Sequence, residues 1–503
     1  MPGVTATTPG IAEPTPEQQP QDERPASRVV VVGGGPGGYE AALVARRAGA
    51  DVTLVELQGL GGAAVLTDVV PSKTLIATAE WMTIAERAPE LGIRDGGVPV
   101  TDAPPGARAH EVDLARVNAR VVELAAAQSR DIAARLESVG VRVVDGHGRL
   151  DGPQRVVVDR ADGGGRGDGA SSSSEVLDAD VVLLATGATP RTLPEAMPDG
   201  ERILTWTQLY GLTSLPERLV VVGSGVTGAE FAGAYNALGS HVVLVSSRDR
   251  VLPGEDADAA ELIEEVFRQR GMEVMSRSRA QSAVRTADGV LVTLADGRTV
   301  EGSHCLMAVG SVPSTHGLGL ETAGVRTTRS GHIEVDRVSR TSARGVYAAG
   351  DCTGILPLAS VAAMQGRIAM AHALGDAVVP LDLQVVAANI FTAPEIATVG
   401  ASQRTLEESG VRYRTSTLEL ARNPRAKMLG MHDGFVKLFA HATTGIVLGG
   451  VVVAPRAGEL VFPITLAVSQ RLTADDVAQS FTVYPSLSGS IAEVARTLHH
   501  PEA

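Results

Sequence analysis

The chain has 503 residues, of which 44% are hydrophobic but only 3% aromatic, and it carries a formal net charge of −14. An acidic chain without a Lys/Arg cluster gives no reason to expect nucleic acid or an anionic membrane surface as a partner, and no apolar run is long enough for stable insertion into a membrane. The two cysteines, Cys305 and Cys352, exclude a disulfide scaffold and a zinc cluster, and nothing in the sequence assigns a metal.

Residues 1–27 contain several prolines among Glu and Gln and lack the basic start and apolar middle of a signal peptide. We therefore expect a disordered leader and a cytoplasmic protein. Ordered structure is expected from residue 28 onward, in about three domains.

The first ordered motif lies between Val29 and Glu56. Its order is a valine-rich strand (29–32), the GxGxxG glycines Gly33, Gly35 and Gly38, a helix (39–48), a second strand (52–55) and the terminal Glu56. Glycine is needed because the backbone must turn sharply, let a pyrophosphate approach and pack the helix on the strand. The helix N-terminus favours the phosphate, and Glu56 is placed to accept hydrogen bonds from a ribose diol. This βαβ unit predicts a dinucleotide site.

The next segment, GLGGAAVLTDVVPSKTLIATA, begins with glycines that predict a flexible turn and continues into a helix that begins or kinks at Pro71. It resembles the active-site helix of the flavoprotein disulfide reductases, whose pattern is GGTCxxxGCxPSK. Ala64 and Val69 stand where that family has its two redox cysteines, so the thiol relay is absent. The resemblance implies FAD as a cofactor, with Gly62 and Lys73 beside it.

Lys73 has a specific role by this resemblance. In the family, a lysine at this place lies beside the reactive edge of the flavin and pairs with a glutamate from the nicotinamide domain. Glu230, in the second half of the chain, matches that glutamate. The alternatives are a solvated helix lysine and a glutamate that only complements its helix dipole.

The rest of the first domain, up to about residue 190, contains a helix, several β-like segments and a further family motif. A long amphipathic helix is predicted for Leu114–Val139, and the β-like segments after it are interrupted by a Gly- and Ser-rich tract, 161–175, which predicts a flexible loop. The sequence DVVLLATGATP then resembles the family's ATG motif under the flavin. By this resemblance Thr186 and Gly187 support the cofactor site structurally.

A second copy of the first motif follows at 218–246. Its order is a strand, the glycines Gly223, Gly225 and Gly228, a helix, and a second strand that leads to Ser246, as far after Gly223 as Glu56 is after Gly33. Two dinucleotide sites in one chain predict hydride transfer from a nicotinamide to a flavin, because these cofactors carry chemistry that side chains lack.

The end of this second motif bears on the choice of nicotinamide nucleotide. Ser246 stands at the place of the ribose-binding acid, which removes repulsion toward a 2′-phosphate, and Arg248 supplies hydrogen-bond donors for one. Gly228, in contrast, resembles the NADH-using relatives. Both NADPH and NADH are therefore expected, with a preference for NADPH.

Two later segments also resemble cofactor motifs of the family. Gly310 in GSVPST matches a GRxPNT turn near the nicotinamide, although Ser311 replaces its arginine. RTSARGVYAAGDCTG matches the second flavin signature, which implies that Gly350 and Asp351 bind the ribityl chain. The next helix would direct free amides near Ala359 toward the pyrimidine edge of the flavin.

From about residue 384 onward the chain resembles the dimerisation domain of the family, which implies a homodimer. The family ends this domain with HPTxxE, whose His and Glu serve the thiols of the partner, but here the run is YPSLSG, beginning at Tyr484. The base is therefore missing together with the thiols. Tyr484 either lines the acceptor pocket or only fills the space of the imidazole.

These segments predict an α/β fold with two Rossmann-like, three-layer dinucleotide-binding domains and a C-terminal α+β dimerisation domain. The predicted boundaries are a leader (1–27), the FAD-binding domain (28–190 and 326–383), the NAD(P)H-binding domain (191–325) and the dimerisation domain (384–503).

Without a thiol relay, the electron acceptor must approach the flavin itself. Planar quinones meet this requirement, since a quinone takes a hydride and then a proton from solvent. The pattern is similar to cysteine-lacking members of the family and predicts a dimeric FAD-dependent NAD(P)H:quinone oxidoreductase. The alternatives are a soluble pyridine nucleotide transhydrogenase, an oxidase or peroxidase, and a non-catalytic flavoprotein subunit.

Overall fold

The computed structural model describes residues 26–93, 111–160 and 174–499. The predicted leader and loop tract lie outside these ranges, except for residues 26–27 and 174–175. The first stretch contains β1 (Arg28–Val32), α1 (Pro36–Arg47), β2 (Asp51–Glu56), α2 (Gly62–Leu66), α3 (Val69–Glu86), α4 (Leu114–Ser138), β3 (Arg142–Asp145), β4 (His147–Leu150), β5 (Arg155–Asp159), β6 (Ser174–Asp178), β7 (Val181–Leu184) and β8 (Ala188–Pro190).

The second stretch contains β9 (Ile203–Thr205), β10 (Arg218–Val222), α5 (Val226–Leu238), β11 (His241–Val245), α6 (Ala257–Gln269), β12 (Glu273–Met275), β13 (Ala280–Arg285), β14 (Val290–Leu294), β15 (Thr299–Gly302), β16 (His304–Met307) and β17 (Ser311–Pro313). The chain then adds β18 (Val346–Ala348) and α7 (Ala359–Ala373). Its last stretch contains β19 (Ala387–Ile390), β20 (Glu395–Gly400), α8 (Gln403–Ser409), β21 (Tyr413–Glu419), α9 (Pro424–Met428), β22 (Phe435–His441), β23 (Val447–Ala454), α10 (Ala457–Leu460), α11 (Phe462–Ser469), α12 (Ala474–Gln479) and α13 (Gly489–Thr497).

The first sheet has the strand order β18-β7-β1-β2-β3, and its neighbours are parallel. Its central strand is buried on both faces, as the valine run predicts. Val29 and Val31 pack toward α1, α4 and α7, whereas Val30 and Val32 pack toward the antiparallel β4-β5-β6 sheet. Helices, parallel sheet and antiparallel sheet thus form three layers.

The second sheet repeats this arrangement, with the parallel order β12-β11-β10-β16-β9. Leu219 and Val221 pack toward α5 and α6, while Val220 and Val222 pack toward the antiparallel β13-β14-β15 sheet. The last stretch forms an antiparallel sheet, β19-β20-β23-β22-β21, with helices packed on it. The predicted fold class is confirmed.

Both dinucleotide motifs have the same tight backbone approach. A Cβ on Gly38 would lie 1.8 Å from the Gly33 carbonyl oxygen, and a Cβ on Gly228 would lie 1.8 Å from that of Gly223. Gly33 and Gly223 have φ values of +102° and +114°, which favour glycine. The repeat seen in the sequence is therefore a repeat of backbone geometry.

The structure corrects the predicted helix starts near the first motif. The helix α1 begins at Pro36, because a proline at the first helical position needs no N–H partner. Gly62 begins the short helix α2, although a flexible turn was expected there. The helix α3 begins at Val69, so Pro71 lies within its first turn, where proline is tolerated.

No helix in the described ranges is both long and apolar enough to cross a membrane.

Candidate active site

Lys73 and Glu230 form an ion pair between α3 and α5, with 2.7 Å between Lys73 Nζ and Glu230 Oε2. Glu230 is 3% exposed, and its other oxygen accepts a hydrogen bond of 2.8 Å from the Phe391 N–H. Lys73 Nζ also lies 5.0 Å from the centroid of the Phe391 ring. The pair predicted from the resemblance is therefore formed, and it joins both repeats to the C-terminal stretch.

Asp68 lies directly before α3 and close enough to this pair to interact with it electrostatically. Burial raises the pKa of its carboxyl to about 6, with the Lys73 charge opposing this shift and the Glu230 and Asp351 charges adding to it. Tyr210 faces the same place: burial and then the Asp68 charge raise the pKa of its hydroxyl, which has no hydrogen-bond partner among the described residues. Neither residue was predicted.

The first dinucleotide motif leaves space where a pyrophosphate is expected. No protein atom lies within 4 Å of a Cβ placed on Gly35, and no side chain caps the α1 N-terminus. Gly62 is close to this loop, since its Cβ would lie 2.9 Å from the Gly35 Cα. Glu56 accepts backbone hydrogen bonds from Gly34, and from the next two residues after itself. It lies at the β2 end, as predicted.

The segment from β18 to α7 supplies polar groups that fit a flavin. Gly350 has a φ of +83° and donates its N–H to the buried Gln365 side chain at 2.8 Å. The carboxylate of Asp351 accepts no hydrogen bond from the described residues, and burial raises its pKa. No side chain caps α7, whose first residue is Ala359. An acceptor without donors and free helix amides fit the ribityl chain and ring of FAD.

Hydrogen bonds join the predicted ATG turn to Ser314. The Thr186 hydroxyl donates to the Ser314 carbonyl at 2.8 Å, and the Ser314 N–H donates to Gly187 at 3.0 Å. Gly187 has a φ of +67°, and Gly310 a φ of +91° with its carbonyl bonded to the Arg191 N–H. These contacts connect the first and second repeats.

The second motif has the same open space at Gly225, with no protein atom within 4 Å of its Cβ position. Ser246 does not face this space. It is 0% exposed, and its hydroxyl lies 2.6 Å from that of Ser224 and accepts the Arg248 N–H. Ser246 therefore helps to shape the loop, and the Arg248 side chain is exposed.

Two other predicted features lie apart from the ion pair. Tyr484 is 79% exposed, and no hydrogen bond or ion pair joins it to Lys73 or Glu230 within the described ranges. Cys305 and Cys352 are free and buried in different cores, and burial raises their thiol pKa values to about 12 and about 11. The described residues include no His, Cys, Asp and Glu cluster able to hold a metal.

Sequence reasoning missed Asp68, Tyr210, Phe391 and Gln365. Asp68 had a local signal, since it is an acid in the apolar run VLTDVVP. The other three had none, because their importance comes from segments that are distant in sequence and meet only in the folded chain.

Comparisons with known proteins agree with this geometry. Residues 27–366 match the family described as pyridine nucleotide-disulphide oxidoreductase, and residues 386–495 match the dimerisation domain of that family. The NAD(P)H dehydrogenase (quinone) of Mycobacterium tuberculosis is 55% identical over 479 residues, which cover 94% of either chain. The dihydrolipoyl dehydrogenase of Chlorobaculum tepidum is 33% identical over 471 residues, which cover 93% of this chain and 96% of that one.

The crystal structure of LpdA from Mycobacterium tuberculosis superposes with a TM-score of 0.87 at 54% identity, covering 94% of this chain and 100% of that chain. The flavoprotein disulfide reductase RclA from Escherichia coli has the same fold, with a TM-score of 0.80 at 23% identity over 93% of this chain and 99% of that one.

Proposed function

The chain belongs to the pyridine nucleotide-disulphide oxidoreductase family, and from this premise we propose that it is a homodimeric FAD enzyme that oxidises NAD(P)H and reduces a quinone without a redox disulfide. Membership makes it a flavoprotein oxidoreductase that uses FAD and NAD(P)H. Bound FAD would take a hydride from the nicotinamide and give it to the acceptor. The relative named NAD(P)H dehydrogenase (quinone) supports a quinone as that acceptor.

The observation that carries this proposal is the Lys73–Glu230 pair, whose lysine follows Ala64 and Val69 in the same sequence segment. The two apolar residues cannot relay electrons, yet the ammonium a few residues later is held at 2.7 Å from a buried carboxylate. A fixed ammonium at the ring favours its electron-rich, reduced form. The segment thus retains what hydride transfer needs and lacks what disulfide reduction needs.

The two remaining cysteines support a path without thiols. Each is fully buried in a core of its own, and a raised thiol pKa keeps it protonated at neutral pH. Because the thiolate is the reactive form, Cys305 and Cys352 are poor candidates for redox chemistry.

Arg248 is the residue that we expect to favour NADPH over NADH. Its side chain is exposed, and its backbone is held at both ends: the N–H donates to Ser246, and the carbonyl accepts the Arg277 N–H at 2.7 Å. A guanidinium on such a fixed turn can bind a 2′-phosphate through two parallel hydrogen bonds.

Tyr484 is expected to meet the acceptor across the dimer. Phe462, Phe481 and Val483 are exposed apolar side chains of the same C-terminal stretch, at 61%, 105% and 78%. Exposed apolar side chains of this size favour association with a second copy. In that assembly Tyr484 takes the place of the histidine that the family sends to the partner.

An anaerobic titration of the flavin absorbance with NADPH, followed by menadione, tests the proposed function. We expect one NADPH per flavin to bleach the spectrum and menadione to restore it at once. A requirement for two equivalents would mean that a disulfide also takes electrons, and the absence of bleaching would leave only a non-catalytic flavoprotein. Rapid exchange of hydride between NADPH and an NAD analogue, without quinone reduction, would identify a transhydrogenase.

A further inference from the structure

The carboxyl group of Asp68 is not used by the fold. Its backbone is fixed, because its N–H donates to the Ala63 carbonyl and its own carbonyl accepts the Ser72 N–H, each at 2.8 Å. Its side chain does not cap α3, and no hydrogen bond or ion pair reaches the carboxyl from the described parts of the chain. A half-buried acid in this state is available for chemistry.

The titratable groups that interact electrostatically with Asp68 come from four elements. They are Lys73 on α3, Glu230 on α5, Asp351 in the turn after β18, and Tyr210 in the short 3-10 helix Trp206–Gly211. The only cation among them, Lys73, is already bound to Glu230 at 2.7 Å.

Asp68 therefore has no counter-ion of its own. Burial and two neighbouring carboxylates favour its neutral form, which explains a pKa of about 6 in spite of Lys73. Close to neutral pH, a fraction of this group carries a proton. The carboxyl that holds it is near enough to interact electrostatically with Lys73, which the family resemblance places at the reactive edge of the flavin.

Resting on the proposed function, we propose that Asp68 is the acid that gives the bound quinone its second proton. The quinone receives two electrons and one proton as the hydride. The O–H bond of the Asp68 carboxyl then breaks, an O–H bond forms on the quinone oxygen, and the hydroquinone leaves. The Asp68 carboxylate recovers its proton from water, which reaches this half-buried side chain.

The other polar groups of the site are less suited to this step. Lys73 is bound to Glu230, and loss of its proton would leave a buried carboxylate unpaired. Burial raises the pKa of Tyr210, which therefore holds its proton more tightly than Asp68 does. A general acid is most effective when its pKa lies near the working pH.

The test compares Asp68→Asn and Asp68→Glu with Asp131→Asn, a matched change of an exposed acid on α4. Stopped-flow measurements follow flavin reduction by NADPH and reoxidation by menadione or by ferricyanide, which takes one electron and no proton. At pH 6 we expect Asp68→Asn to slow only the menadione reaction, by at least about tenfold, and Asp68→Glu to recover most of it. The wild-type menadione rate should fall as the pH rises through about 6.

An infrared titration gives a second measurement that does not depend on turnover. The protonated carboxyl band lost from the wild-type holoenzyme between pH 5 and pH 8 should be smaller by one group in Asp68→Asn and unchanged in Asp131→Asn. An unchanged band, an unchanged menadione rate, or equal losses with menadione and ferricyanide would overturn the assignment of Asp68. Failure of the wild-type flavin to be reduced by NADPH or reoxidised by menadione would instead refute the proposed function.

Discussion

Replacement of Lys73 by Met should destabilise the protein more than replacement of Lys73 and Glu230 together. In the single variant, a carboxylate that is 3% exposed keeps only the Phe391 N–H as a donor among the residues that the structure describes. Breaking a buried ion pair from one side costs about 3–5 kcal/mol. Since the Lys73 side chain is 25% exposed, water compensates in part, and we expect a loss of about 2–3 kcal/mol.

The double variant Lys73→Met/Glu230→Gln removes the buried charge and keeps the shape. The glutamine carbonyl can still accept the Phe391 N–H, so we expect a loss of no more than about 1 kcal/mol. Glu230→Gln alone completes the cycle. Urea unfolding of the FAD-saturated proteins, followed by circular dichroism, measures all four at equal FAD concentration, because ligand binding itself shifts stability.

The same variants separate stability from catalysis. Reduction of the flavin by NADPH should be slower by at least about tenfold in Lys73→Met and should stay slow in the double variant, because neither has an ammonium at the ring. A double variant that is as unstable as Lys73→Met would show that the buried carboxylate is not the source of the loss. A double variant with a wild-type reduction rate would refute the role of Lys73 in hydride transfer.

Four further substitutions test the cofactor sites and Asp68. Gly35→Ala should lower FAD retention without lowering the unfolding midpoint of the apoprotein, because the new Cβ meets no protein atom. The matched variant Gly225→Ala should keep FAD and raise the KM for NADPH. Equal effects of either variant on both cofactors would contradict the assignment of the two sites. Arg248→Ala should raise the KM for NADPH by about tenfold or more and leave that for NADH unchanged; parallel increases would remove its role as the phosphate ligand. Asp68→Asn should raise the free energy of unfolding above pH 7 by up to about 3 kcal/mol. The wild-type carboxyl pKa is raised from 3.8 to about 6, so the wild type loses stability as the pH rises between these values, and the variant does not. This gain should disappear below pH 4 in urea titrations, and a gain that does not vary with pH would contradict it.

The repeated dinucleotide motifs could be predicted from the sequence because their determinants are local. A strand of valines, the three spaced glycines of the turn and a helix directly after them are all within one short segment. The ion pair was different in kind: Lys73 and Glu230 are 157 residues apart, and only the resemblance to a family connected them. Nothing in the pattern of the chain itself requires that contact.

Ser246 shows the limit of an argument from position alone. It stands where the first motif has Glu56, and Glu56 does lie at the end of β2 with backbone N–H groups around it. The hydroxyl of Ser246, however, is turned toward Ser224, a residue inside the glycine loop whose direction the sequence does not reveal. The position of Ser246 in the motif predicted where the residue lies in the fold, but its hydrogen bond with Ser224 determines what its side chain does.

The segment between Gly62 and Lys73 keeps the lysine of the family pattern and differs from that pattern at its cysteine positions. Ala64 and Val69 stand where the family pattern has cysteines, and Asp68 is an acid that the helix does not use as a cap. A half-buried acid with a raised pKa reduces stability at neutral pH, and no hydrogen bond or ion pair in the described chain compensates for it. Groups held in this way concentrate at functional sites. A quinone needs a second proton, and we propose that Asp68, whose carboxyl interacts electrostatically with the Lys73–Glu230 pair, supplies it.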